Sequence, residues 1–210
     1  MNKVDWLFFD MGSTLIDETK SCMRWFENAS RITDGALSAG EIEKEYCAGM
    51  ARGNPTISGQ LKAYGFTGNS TNHLYPSEMD TPYPEAGKVL ERLSETYKLG
   101  IIANQNAGSE SRLEKYGIRK YFNVVVASAE AGFNKPDPRI FVLALERSDC
   151  APERAAMIGD RLDNDIFPAK ALGFTTVRIL QGYGRLQITK SFEYEPDFTV
   201  DSLTQLADIF

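Results

Sequence analysis

Short apolar runs alternate with amphipathic segments along most of the chain. The apolar runs predict buried strands at residues 4–9, 99–103, 122–127, 155–158 and 174–180. Apolar residues at helical spacing predict helices over residues 86–93, 109–116 and 164–172, and one more that begins at Asp137. Strands that alternate with helices in this way predict an α/β fold with a doubly wound parallel sheet.

The segment between the first and second strands has a different pattern, because no run in it alternates as a strand would. It predicts short helices around residues 21–32, 38–50 and 57–64, separated by glycines and by Asn54-Pro55. The stretch Thr81-Pro82-Tyr83-Pro84 is typical of a linker. We therefore predict an α/β core of residues 1–16 plus 82–210, with residues 17–81 inserted after the first strand as a small all-helical domain.

Polar side chains fall at or just beyond the ends of the predicted strands. These side chains are Asp10, Asn104, Lys135, Asp160 and Asp165. Parallel strands bring their carboxyl ends to one edge of the sheet, where open α/β proteins bind ligands. A carboxylate nucleophile, a fixed cation and further carboxylates suit phosphoryl chemistry with Mg²⁺, which prefers oxygen ligands. The sequence therefore predicts a site at this edge, with Asp10 as a nucleophile or a metal ligand.

These residues resemble the motifs of the haloacid dehalogenase-like hydrolase superfamily. The resemblance rests on Phe9-Asp10-Met11-Gly12-Ser13-Thr14, on Lys135-Pro136, and on Gly159-Asp160 followed by Asp165. The helical insert resembles the C1-type cap of that family, which closes over the active site. The resemblance implies a Rossmannoid core and spans nearly the whole chain.

The resemblance also implies an activity and a set of site residues. The expected activity is Mg²⁺-dependent hydrolysis of a small phosphorylated metabolite through an aspartyl-phosphate. By resemblance, catalysis falls to Asp10 and Lys135, substrate binding to Met11, Gly12, Asn104 and Lys135, and Mg²⁺ binding to Asp10, Asp160, Asp165 and the Gly12 carbonyl oxygen.

Two positions depart from the family pattern. Gly12 stands where the family has a second Asp, its general acid and base, and Ala103 stands where it has a Ser or Thr that binds phosphate. Loss of a general acid and base lowers a rate by ~10² to 10⁴, so we expect low or atypical activity that favours good leaving groups. Gly12→Asp is expected to restore alkyl-phosphate turnover unless the backbone there needs a positive φ. Gln105 and Asn106 are the nearby side chains that could replace the missing groups.

Two alternatives remain open at this stage. One is a phosphonatase-like hydrolase of a carbon–phosphorus bond, which has a small residue at the position of Gly12 and forms a Schiff base with a cap lysine. Lys20, Lys44 or Lys62 would have to serve as that lysine. The other alternative is a non-catalytic protein that binds phosphate or metal and acts through a partner.

Composition excludes several other classes of protein. There are 29 acidic and 23 basic residues, giving a net charge of −6 that argues against non-specific binding of nucleic acid. No apolar run approaches the roughly 20 residues of a membrane helix, and the first apolar run is too short for a signal peptide. The three cysteines are isolated, and there is one histidine. We expect free thiols, no zinc site and a cytoplasmic protein with a small phosphorylated substrate, and the oligomeric state stays open.

Overall fold

A computed structural model describes residues 4–53, 55, 61–64, 73–189 and 191–210. The strands are β1 (Trp6–Phe9), β2 (Ile16–Asp17), β3 (Thr81–Pro82), β4 (Lys98–Ala103), β5 (Phe122–Ala127), β6 (Ala155–Gly159), β7 (Thr175–Ile179) and β8 (Phe198–Val200). The α-helices are α1 (Thr19–Arg31), α2 (Ala39–Ala51), α3 (Ala86–Ser94), α4 (Ser109–Lys115), α5 (Ser128–Ala131), α6 (Pro138–Ser148) and α7 (Phe167–Leu172).

Six strands form one parallel sheet in the order β5–β4–β1–β6–β7–β8. The predicted α/β fold with a doubly wound parallel sheet is therefore confirmed. Strand β8 was not predicted, because its three residues stand between Asp197 and Asp201 and are too few to show an alternating pattern. The predicted helix over residues 164–172 is divided, since Leu162–Ile166 forms a π-helical turn and α7 begins at Phe167, with Pro168 in its first turn.

The winding of the sheet reverses at β1, which lies between β4 and β6. In the register of the sheet, Phe9 lies opposite Ile101 on one side and Ile158 on the other. The backbone N–H of Asp10 continues the pairing by donating to the Ile158 carbonyl at 2.8 Å. Asp10 is therefore the first residue beyond the sheet at its topological switch point, where α/β proteins form a ligand crevice.

Alternate residues of β1 bury their side chains on opposite faces of the sheet. Leu7 and Phe9 belong to a core shared with α3 and α4, whereas Trp6 and Phe8 pack into a second core with α6 and α7. Phe8 and Phe9 are fully buried. Full burial of such a side chain contributes about 1.5–3 kcal/mol, so helices on both faces hold the end of β1 in place.

The helical insert has an apolar cluster of its own. Its fully or nearly fully buried members come from α1, α2 and the segment after them: Cys22, Phe26, Ala29, Ile42 and Leu61. Helix α2 begins with a capping box, in which Ser38 accepts from the Glu41 N–H and Glu41 accepts from the Ser38 N–H. Of the predicted helix over residues 57–64, residues 57–60 lie outside the described part, and Lys62–Tyr64 form one 3₁₀ turn.

The two passages of chain between the core and the insert lie side by side. Ile16 and Asp17 of β2 pair antiparallel with Pro82 and Thr81 of β3. The predicted linker is thus partly a strand, and its pairing with β2 was not predicted. The division at residues 16/17 and 81/82 stays a prediction, and the pairing places both boundaries at this two-stranded ribbon.

The three cysteines are free thiols. In the described part of the chain, no helix combines the length and the apolar character needed to span a membrane.

Candidate active site

Lys135 lies at the centre of the site and joins two carboxylates. Its Nζ donates to Oδ1 of Asp10 and to Oδ1 of Asp165, each at 2.6 Å, and its side chain is 2% exposed. Burial lowers the pKa of Lys135, but the charges of Asp10 and Asp165 outweigh it and leave the pKa raised above the usual value. Lys135 is therefore a fixed ammonium group beside the candidate nucleophile.

Asp10, Asp160 and Asp165 form a buried cluster of carboxylates, with one oxygen of each within 4.8 Å of the others. Burial, and then the charges of Asp165 and Asp10, raise the pKa of Asp160 well above its ordinary value. Burial also raises the pKa of Asp165, to about 6, although Lys135 opposes the shift. Three acids share one ammonium group here, so the cluster has an excess of negative charge and offers only oxygen donors. Such a donor set fits a hard divalent cation.

Gly159 allows Asp165 to reach this cluster. A Cβ at Gly159 would lie 2.5 Å from the Cγ of Asp165, so a larger residue at the end of β6 would displace that carboxylate. Asp165 is held in place by a second contact, because its Oδ2 accepts from the Arg161 N–H at 3.0 Å. At the end of β6, Asp160 therefore supplies one acid of the cluster, and Gly159 leaves the space that Asp165 occupies.

Asn104 contacts the backbone of Lys135. Its Nδ2 donates to the Lys135 carbonyl at 2.9 Å, and its Oδ1 accepts from the Lys135 N–H at 2.7 Å. Asn104 also lines the cavity that contains Asp10. Its predicted contact with substrate stays a prediction, but the structure gives it a positioning role that the sequence did not indicate.

A cavity of about 170 Å³ opens beside Asp10. The helical insert contributes Cys22, Tyr46 and Met50 to the wall of the cavity. The core contributes, besides Asp10, five other residues predicted for the site: Gly12, Asn104, Lys135, Asp160 and Asp165. Met11, a predicted substrate contact, is buried in the core and does not line this cavity, so its role stays a prediction.

Comparison with known proteins identifies the family. The model of the haloacid dehalogenase-like hydrolase family matches residues 4–173. The chain belongs to this family.

Two relatives and one solved structure show how far the likeness extends. The chain is 38% identical over 130 residues to a glyceraldehyde 3-phosphate phosphatase from Methanopyrus kandleri, covering 61% of this chain and 56% of that protein. It is 32% identical to the glyceraldehyde 3-phosphate phosphatase of Pyrococcus abyssi, and the match covers 81% of this chain and 79% of that protein. The crystal structure of the HAD-hydrolase YfnB from Bacillus subtilis, bound to magnesium, has a TM-score of 0.77 at 21% identity and 99% coverage of both chains.

The first of these relatives is matched over only part of its length, so the chain spans just over half of that protein. The family is shown by the match of its model over residues 4–173, and the parallel sheet shows the fold. The residues predicted for the site follow the carboxyl ends of β1, β4 and β6 or lie in the segment that precedes α6.

Glu18 is the residue of this haloacid dehalogenase-like site that the sequence did not indicate. A Cβ at Gly12 would lie 2.5 Å from Oε1 and 2.7 Å from Oε2 of Glu18. The Glu18 carboxyl group thus fills the space beside Gly12 and lines the same cavity as Asp10. The available signal was an acid at the start of α1, close after the motif loop, but its spacing alone does not reveal that the chain turns back.

The loop after Asp10 turns back because its backbone bonds close on themselves. The N–H groups of Leu15 and Ile16 both donate to the Met11 carbonyl at 3.0 Å, and the Ser13 N–H donates to the Ile16 carbonyl at 2.8 Å. Ser13 has φ 54°, whereas Gly12 is not in the left-handed region. The limit on a side chain at position 12 is therefore contact with Glu18, and a positive φ, which was the expected obstacle, is absent.

The surroundings of Glu18 favour its neutral form. Burial first, and then the charges of Asp80 and Asp10, raise its pKa to about 8, while a hydrogen bond from Ser13 opposes the shift. Asp80 itself accepts hydrogen bonds from Ser21 and from the Tyr75 hydroxyl. Burial and neighbouring charges thus place the pKa of the Glu18 carboxyl group well above its ordinary value.

Proposed function

We propose that this haloacid dehalogenase-like protein is a Mg²⁺-dependent phosphatase of small phosphorylated metabolites, with Asp10 as its nucleophile. The observation that carries the proposal is the buried arrangement of Lys135 with Asp10 and Asp165, beside Asp160, at the switch point of the sheet. A carboxylate that faces a small cavity and is held by a buried ammonium group suits attack on an electrophilic phosphorus.

The reaction needs two displacements at phosphorus. An oxygen of Asp10 forms a bond to phosphorus as the bond from phosphorus to the ester oxygen breaks. The ester oxygen leaves with the electron pair of that bond and gains a proton. Water then attacks the aspartyl-phosphate, loses a proton, and releases phosphate as the bond to Asp10 breaks. Lys135 orients Asp10 throughout and offsets the negative charge on the phosphoryl oxygens.

Asp10 and Asp160 would hold Mg²⁺, and Asp165 would support it. When bound, the cation supplies charge that polarises a phosphoryl oxygen and stabilises the transition state. The three carboxylates carry more negative charge than Lys135 neutralises, which supports a cation at this place.

The phosphonatase alternative lacks a suitable lysine among the residues that the structure describes. Lys20, Lys44 and Lys62 are exposed, and none of them lines the cavity that contains Asp10. Lys135 does line it, but its ammonium group is paired with two carboxylates and would first have to lose that pairing to form a Schiff base. We therefore favour the ester of a small phosphorylated metabolite as the substrate.

Phosphate release from a panel of small phosphate esters, with Mg²⁺ and with EDTA, tests the proposal. The panel includes glyceraldehyde 3-phosphate, after the name of the relatives, and an aryl phosphate as a general substrate. Activity is expected with Mg²⁺ and is lost in EDTA. Borohydride trapping with phosphonoacetaldehyde tests the Schiff-base alternative, and a trapped adduct would favour a carbon–phosphorus substrate over a phosphate ester.

Asp10→Asn tests the nucleophile, with Asp17→Asn as its matched control. An amide is a poor nucleophile, so Asp10→Asn is expected to retain less than about 1% of the parent turnover. Asp17 accepts from the Thr19 N–H at the start of α1, a contact that Asn can keep, and it does not line the cavity. Asp17→Asn is expected to keep full activity, and an active Asp10→Asn variant would overturn the proposal.

A further inference from the structure

A phosphatase built on Asp10 needs a group that handles two protons. The leaving oxygen must gain a proton in the first displacement, and the attacking water must lose one in the second. Asp10 and Lys135 bond to each other, and Asp160 and Asp165 belong to the acidic cluster. Position 12 has no side chain to offer, so the proton donor must come from elsewhere in the wall of the cavity.

The side-chain amides near Asp10 are engaged or unsuited, and Asn106, a candidate from the sequence, does not line the cavity that contains Asp10. Both polar groups of the Asn104 side chain bond to the Lys135 backbone. The Oε1 of Gln105 accepts from Nη2 of Arg112 at 3.1 Å. A side-chain amide, in any case, does not give up a proton near neutral pH.

Glu18 occupies the required place. Its two carboxyl oxygens lie in the space that the first atom of a side chain at position 12 would need, at 2.5 Å and 2.7 Å from that atom. A carboxyl group thus reaches the cavity that contains Asp10 from the start of α1 instead of from the loop. Gly12 has no side chain, and this leaves the space that the Glu18 carboxyl group fills.

The Glu18 side chain is held in this place by Ser13 and has no structural task at the helix end. Ser13 Oγ donates to Oε2 at 3.1 Å, and no described residue hydrogen-bonds to Oε1. Glu18 is the N-cap residue of α1, but its side chain accepts no bond from the helix. That bond goes to Asp17, which accepts from Thr19.

We propose that Glu18 is the general acid and base of this enzyme, in place of the residue missing at position 12; this rests on the phosphatase function proposed above. As Asp10 bonds to phosphorus, the Glu18 carboxyl group gives its proton to the departing ester oxygen, which leaves as an alcohol. The Glu18 carboxylate then takes a proton from the water that attacks the aspartyl-phosphate. Phosphate leaves, and both Asp10 and Glu18 return to their starting forms.

Dependence on the leaving group is the first test, using the full chain with Mg²⁺. Glu18→Gln keeps the shape of the side chain and removes its acid–base function. For an alkyl phosphate, kcat is expected to fall by ~100-fold or more. For an aryl phosphate with a good leaving group, single-turnover phosphorylation of Asp10 is expected to fall by less than ~10-fold, since little protonation is needed. The aspartyl-phosphate should then accumulate, because water attack lacks its base.

The matched control is Glu27→Gln, a substitution on the exposed side of α1. Glu27 pairs with Arg24 on the surface and does not line the cavity. It is expected to keep both rates. A purely structural role for Glu18 would lower both substrates' rates together and would not make the enzyme selective for good leaving groups.

Exchange of the carboxyl group between the two positions is the second test. Gly12→Asp alone is expected to gain no activity, because its side chain meets that of Glu18. Glu18→Ala alone is expected to lose alkyl-phosphate turnover. Adding Gly12→Asp to Glu18→Ala is expected to raise that turnover at least ~10-fold above that of Glu18→Ala. Thermal melts check that each variant is folded, and Glu18→Gln carries the test if the double variant is not.

The outcomes separate the two proposals. If the parent hydrolyses no phosphate ester of the panel, the phosphatase proposal and the role of Glu18 fail together. If the parent is active and Glu18→Gln keeps its alkyl-phosphate rate, Glu18 is not the acid and base, and the phosphatase proposal stands. A folded double variant no faster than Glu18→Ala would overturn the claim that the two positions share one role.

Discussion

Asn104 holds the main chain of Lys135 through a pair of hydrogen bonds. The amide donates to the Lys135 carbonyl at 2.9 Å and accepts from its N–H at 2.7 Å. One residue just beyond β4 thereby fixes the segment that delivers the buried ammonium group to Asp10. Asn104, which is predicted to contact phosphate, thus positions Lys135, whose charge would offset that of the phosphate.

Loss of this pair of bonds should affect catalysis more than folding. Asn104→Ala is expected to lower the free energy of unfolding by about 1 kcal/mol, because Asn104 is exposed and water can replace part of the contact. It is expected to lower kcat by about tenfold, since a small displacement of Lys135 misorients Asp10. Denaturant titration and steady-state kinetics measure the two effects. Asn106→Ala, a change at an exposed neighbour, is the control, and equal kinetics for both variants would contradict the positioning role.

Removal of Lys135 should destabilise the apo protein strongly. Lys135→Met leaves Asp10 and Asp165 buried without their shared partner, and breaking such a pair costs about 3–5 kcal/mol. Adding Asp165→Asn removes one of the stranded charges and is expected to recover part of that loss. Urea unfolding in EDTA checks both variants. A Lys135→Met protein as stable as the parent would show that the ion pair is not buried as described.

Mg²⁺ binding should depend on Asp160. Asp160→Asn removes one charge from the cluster and weakens one of its oxygen donors, so calorimetric titration is expected to show the loss of the site or a greatly reduced affinity. Asp163→Asn is the control, because Asp163 lies outside the cluster and accepts from Arg161 and Gln187. Undiminished Mg²⁺ binding by Asp160→Asn would refute this assignment of ligands.

The raised pKa of Glu18 should appear in the pH dependence of stability. The pKa is 4.5 ordinarily and about 8 in the folded protein, so between these values the native state holds a proton that the unfolded chain releases. Stability contributed by Glu18 therefore falls as pH rises from 4.5 to about 8 and is constant above that. The difference in Tm between Glu18→Gln and the parent is expected to increase across this window in EDTA. A difference that stays flat, as expected for Glu27→Gln, would argue against the shift.

Much of the fold could be predicted from the sequence because its signals are local. The apolar runs that became β1, β4, β5, β6 and β7 are continuous in the chain, and each is bounded by residues that end a strand. Parallel strands must bring their carboxyl ends to one edge, so the sequence predicts that Asp10, Asp160 and Lys135 lie near one another. The family motif strengthened the same conclusion.

Only the tertiary structure decided which side chains meet within that edge. The turn after Asp10 returns the chain so that Glu18 faces Gly12. Its direction depends on backbone bonds to the Met11 carbonyl and from the Ser13 N–H that no periodicity encodes. The contact of Asn104 with Lys135 joins segments 31 residues apart, and the pairing of β2 with β3 joins the two ends of the insert. Such contacts depend on the packing of distant segments, so the sequence by itself determined the elements and the edge where chemistry gathers. The folded chain determined the partners of each group there, including the carboxyl group that stands in the space left by Gly12.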